Sequence, residues 1–117
     1  MNTIYFIFVI LLSLLILLFS QKQFSLKKKL PKDVLIKLSI DFPDINQRKF
    51  VENELIKIIN EPIPVGEDQL SRSIVYLSNG NIEQFKKVIT FDDHRDIIQE
   101  AENKNGNPGH YFTIPFS

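Results

Sequence analysis

The chain has 117 residues, 44% hydrophobic and 24% charged, with 14 basic side chains against 14 acidic ones and no cysteine. That length suits one small domain, and the missing cysteines exclude a disulfide scaffold, a thiolate nucleophile, thiolate metal sites and a lipid-modified cysteine. Charge is unevenly spread. Residues 1–20 carry none, residues 21–32 carry five lysines and no acid, and residues 33–117 carry all 14 acids with the other 9 bases, a net of 9 − 14 = −5. An acidic domain lacks the basic face that neutralises phosphates, so no nucleic-acid partner is expected.

From Ile4 to Phe19 every residue except Ser13 is apolar. With its flanks the run approaches the roughly 20 residues that cross a bilayer core of ~30 Å, where a helix satisfies its own backbone. The expectation is a transmembrane helix over 1–20, with the lipid bilayer as partner through residues 3–20. Met1-Asn2-Thr3 has no basic side chain and Phe19-Ser20-Gln21-Lys22 is a poor cleavage site, which favours an uncleaved anchor over a signal peptide. Lys22, Lys27, Lys28, Lys29 and Lys32 follow the run. By the positive-inside rule they predict a single-pass inner-membrane protein, N-out/C-in. Cleavage would instead leave a periplasmic or secreted domain. The same lysines are placed to meet anionic lipid, although a topology signal on a solvated stem accounts for them.

Residues 21–30 read as a basic juxtamembrane linker, and Pro31 opens a small helical domain over 31–104. Pro31 to Phe42 has the proline start and the apolar Val34, Leu35, Leu38 and Phe42 of a short helix ended by Pro43. The alternation from Ile36 to Phe42 also fits a strand, which would pair with the 111–116 tail in an α+β alternative. Asp44 caps the next helix, with Gln47 three residues on and a stripe of Phe50, Val51, Leu55, Ile58 and Ile59. A third begins near Gly66 with Glu67 and Asp68 in its first turn, buries Leu70, Ile74 and Leu77, and stops at Gly80. Asn81 caps a fourth with Ile82, Phe85, Val88 and Ile89 inward. A fifth, capped by Thr90 with Asp93 or by Asp92, carries Ile97, Ile98 and Ala101. Residues 105–117 form a loop and an apolar tail, Tyr111 to Phe116, expected to pack back on the domain. The fold class is therefore all-α: one N-terminal transmembrane helix and a bundle of four to five short helices.

No nucleotide-binding glycine loop or metalloprotease helix is present, and Ser71, Ser73 and Ser78 stand in no nucleophile turn. Asp92-Asp93-His94-Arg95-Asp96 is the densest polar cluster. Its side chains leave a helix start in different directions, which suits capping and local pairing better than a metal. His110 sits in a separate loop. Arg72 lies among apolar neighbours and predicts a partly buried pair with Asp93 or Asp96. No catalytic residue, metal, cofactor or small-molecule substrate is expected.

Arg72 to Ile82, then Phe85-Lys86-Lys87, then Asp93-His94-Arg95-Asp96-Ile97-Ile98 through Glu102, resembles a group of small bacterial helical proteins. They share an R-x-x-x-Y/F-L-x-x-G-[DN]-[LI] run followed by D-x-R-D-[VI]-[IL]. The likeness covers about 35 residues and departs from the group's usual aromatic at His94. It implies a small helical domain without an assigned activity, with Arg72, Gly80, Arg95 and Asp96 serving the fold or a partner, and Asp93 of the polar cluster joins them as a candidate. The functional expectation is a non-enzymatic, membrane-anchored module that binds a still unknown protein in the cytoplasm, or an immunity or antitoxin-like protein whose acidic face blocks a basic partner.

Overall fold

The computed structural model describes residues 2–24, 27–106 and 111–116, with the side chains of 18–24 and of Tyr111 outside the described set. Among the described residues there are six α-helices and one 3-10 turn, and no strand. They are α1 (Asn2–Phe24), α2 (Lys32–Asp41), α3 (Ile45–Ile59), α4 (Glu67–Ser78), α5 (Ile82–Val88) and α6 (His94–Asn105), with the turn at Tyr111–Thr113.

The start signals act as their chemistry requires. Asp44 accepts from the N–H groups of Asn46 and Gln47, Asn81 from that of Gln84, and Asp93 from that of Arg95. At α6 the cap is therefore Asp93, not Asp92 or Thr90, whose hydroxyl instead donates to Lys87 O at 2.6 Å. The segment from Pro31 is a helix because Val34 and Leu38, one turn apart, are both buried. The strand alternative for 36–42 does not form there.

Helix α4 is the axis of the domain: it packs against α2, α3, α5, α6 and the Tyr111–Thr113 turn. Beyond its first turn, a helix surrounded in this way has almost no solvent face to give to polar residues. Its three serines illustrate the solution, since Ser71, Ser73 and Ser78 are buried and donate to Asp68 O, Gln69 O and Ile74 O in their own helix. The hydroxyls are thus occupied, and their small side chains let the neighbouring helices close in. Phe42, Leu55, Phe85, Ile97 and Phe112 fill the space around α4.

The ends differ from the sequence expectation. Leu30, placed in a solvated linker, is buried. Lys28 is docked too: its N–H donates to Asn60 Oδ1 at 2.8 Å, its carbonyl accepts from Asn60 Nδ2 at 3.2 Å, and its ammonium pairs with Glu67 at 2.9 Å. In the tail, Phe112 is buried and stacked at a tilt on Tyr76 at 5.1 Å.

Helix α1 requires a correction. Its apolar side chains from Ile4 to Leu17 are exposed. Among the described residues no helix is long and apolar enough to cross a membrane. This finding overturns the expected transmembrane helix over 1–20, the single-pass membrane architecture and the N-out/C-in inner-membrane localisation.

Candidate functional site

The strongest electrostatic feature of the domain joins three distant segments. Arg72, in the middle of α4, is 5% exposed. Its Nε donates to Asp33 Oδ2 at 2.9 Å and its Nη2 to Asp33 Oδ1 at 3.1 Å, a two-point match of guanidinium to carboxylate. Its Nη1 donates to the carbonyls of Phe112 and Thr113 at 3.3 and 3.2 Å. Asp33 Oδ2 also accepts from the N–H of Phe116 at 3.0 Å. A charge on a buried helix is costly unless paired and hydrogen-bonded, and every nitrogen of this guanidinium has an acceptor.

The same contacts set the titration of the pair. The hydrogen bond from Arg72 holds the Asp33 carboxyl below its ordinary range, and burial opposes that shift. The hydrogen bond to Asp33 in turn raises Arg72 above its own ordinary value. The pair that the sequence predicted with Asp93 or Asp96 is thus formed with Asp33 instead. Asp33 lies 39 residues from Arg72 and carries no local sequence signal beyond being an acid in a first helical turn.

Asp93 and Arg95 form a local unit at the start of α6. Arg95 donates from Nε and Nη2 to Asp93 at 3.2 and 3.1 Å, beside the backbone cap. These hydrogen bonds lower the Asp93 carboxyl and raise Arg95. Arg95 and Asp96 are exposed, while His94 is half-buried. Arg72 and this cluster are therefore not brought together. Among the described residues no three His, Asp or Glu side chains are placed to hold a metal ion, and His110 lies outside the described residues.

Gly80 sits in the turn between α4 and α5 with φ +70°, after Asn79 at φ 48°. A Cβ built on Gly80 would stand 3.0 Å from Asp41 O, so both the left-handed backbone and the close approach of α2 demand glycine. Beside this turn lies an open polar cleft of about 710 Å³, lined among others by Tyr76, Asn79, Asn81, Glu83, Lys87 and Lys104.

Two apolar surfaces complete the inventory. On α2, Leu35, Ile36 and Ile40 are 40%, 52% and 68% exposed, on the side opposite to the buried Val34 and Leu38. Between α3 and α5, Phe50 packs edge-on to Phe85 at 6.2 Å beneath the Lys86 ammonium, 5.8 Å from the Phe50 ring. Of the lysines singled out from sequence, Lys27, Lys28, Lys29 and Lys32 are exposed, and the side chain of Lys22 is outside the described set. Comparison with protein-family models, curated proteins and solved structures finds no match to this chain.

Proposed function

We propose that the chain is a non-enzymatic binding module whose helical domain docks a protein partner on the outer face of α2. The observation that carries this reading is the ridge of Leu35, Ile36 and Ile40, three large aliphatic side chains within an arc of about 140° on one short helix. Contiguous exposed apolar residues of this kind mark interaction surfaces more often than isolated ones do. The excess of five negative charges over 33–117 commits the partner to a basic rim around an apolar centre, since opposite fields speed encounter and fix orientation. Blocking of a basic partner by an antitoxin-like protein is one form of the same reading.

In this reading the buried Arg72 supports the fold rather than the partner, and Arg95 and Asp96 stay on the surface. Helix α1 supplies a second contact, with lipid through residues 3–20. Its support is the exposed apolar side chains from Ile4 to Leu17, each gaining roughly 1.5–3 kcal/mol on transfer out of water. Such transfer needs contact with an apolar phase and no crossing of it.

The test of the protein contact is cross-linking and recovery with the full chain against the same chain carrying Ile36→Asp and Ile40→Asp. Loss of one defined, basic partner in a variant that melts like the parent supports the reading. Equal recovery by both chains sinks it. Flotation with phosphatidylcholine vesicles tests the lipid contact, which Leu11→Lys with Leu15→Lys should abolish.

A further inference from the structure

Residues 111–116 are held on the domain largely through their main chain. The contacts of Arg72 and Asp33 with them are all to main-chain atoms: the carbonyls of Phe112 and Thr113 and the N–H of Phe116. Groups on two helices thus bind the backbone of the 3-10 turn at Tyr111–Thr113 and of Phe116 beyond it, while one aromatic side chain, Phe112, enters the core against Tyr76. Main-chain hydrogen bonds combined with a side-chain anchor are the general means by which a groove recognises a peptide.

The groove is incompletely filled. A cavity of about 330 Å³ remains between Lys37, Tyr76 and Asn105 on the helices and Phe112, Ile114 and Phe116 on the segment. Ile114 and Pro115 stay exposed above it.

We propose that the space between α2, α4 and α6 is a peptide-docking groove, occupied in the free chain by its own residues 111–116, and that it accepts the same segment from a second copy of this chain in trans. A second copy brings identical complementarity, so no new surface has to be matched. In cis the segment is favoured by an effective concentration on the order of millimolar, which a neighbouring copy must approach to compete. This inference does not depend on the α2 ridge, whose loss would leave the groove intact.

The experiment places a protease site between Gly106 and Tyr111 of the full chain, cuts it, and adds a fluorescent peptide of residues 111–117. The expected result is saturable replacement of the cut segment by the peptide, with helicity and a cooperative melt preserved or restored. A peptide carrying Phe112→Ala should bind at least roughly tenfold more weakly, since the anchor alone is worth more than that factor. Changing the peptide rather than the domain keeps the comparison free of folding defects. Three outcomes overturn the proposal: a cut segment that never exchanges overnight, a cut chain that unfolds and is not restored by peptide, and an F112A peptide that binds as well as its parent.

Discussion

Arg72 and Asp33, 39 residues apart, form a two-point ion pair at 2.9 and 3.1 Å, and the backbone of the C-terminal segment is bound to both members. Arg72→Met leaves the half-buried Asp33 carboxylate without its cation and strips two carbonyls of a donor. The loss should be about 2–3 kcal/mol, below the full penalty for a buried pair because water reaches part of the Asp33 carboxylate. A domain of this size has little more than that in reserve. Urea unfolding followed by circular dichroism should show the variant near or beyond its midpoint in buffer. A melt like the parent's would show that the pair carries no net stability.

Acid should attack the same pair. The Asp33 carboxyl lies below its ordinary range in the folded chain and returns to about 3.9 on unfolding, so the unfolded chain binds the proton more readily. Its contribution is present in full above pH ~4 and is lost as pH falls through the depressed folded value. Between pH 5 and pH 2 the parent should lose melting temperature more steeply than Asp33→Asn, already weakened at neutral pH. Parallel pH profiles would contradict this assignment.

The two left-handed glycines should separate cleanly. Gly80→Ala adds a Cβ 3.0 Å from Asp41 O at φ +70°, whereas Gly106→Ala at φ +78° meets nothing within 4 Å. Backbone strain alone costs about 1–2 kcal/mol. Gly106→Ala should lose about that amount in a thermal melt, and Gly80→Ala clearly more because the backbone of α2 must also move.

Asp93→Ala should lower the melting temperature by uncapping α6, while Arg95→Ala should leave it nearly unchanged. Both side chains meet at Asp93, but only the backbone N–H of Arg95 depends on it for a partner at the helix start. Differential scanning fluorimetry of the two variants side by side decides the point. An equal fall would mean that the exposed Arg95 side chain holds structure.

Local chemistry made the starts of α3 and α5 readable from sequence, while at α6 three candidate caps stood together and only the fold selects Asp93. Asp44, Asn81 and Asp93 each cap through a residue two or three positions away, and the apolar spacing around Val51, Leu55 and Ile59 already marks an inward face. Non-local pairing was not readable. Nothing near Asp33 points to Arg72 or to Phe116, and the burial of Leu30 follows only from the docking of Lys28 on Asn60. Gly80 could be named from its place after a helix, but the reason it must be glycine lies in Asp41, from an earlier helix. For α1, hydropathy describes what its side chains prefer. The described structure adds how much of that surface is left uncovered.

The hydrogen bond of 3.0 Å from Phe116 to Asp33 brings the last described residue of the domain against its first helix. Entry and exit of the domain are therefore neighbours, and a short bridge of a few residues could join them. New ends could then be opened in the exposed connection at Glu61 and Pro62 without cutting through the core. The same adjacency would let the domain be set into a loop of another protein as a plug-in unit, its two attachment points already side by side.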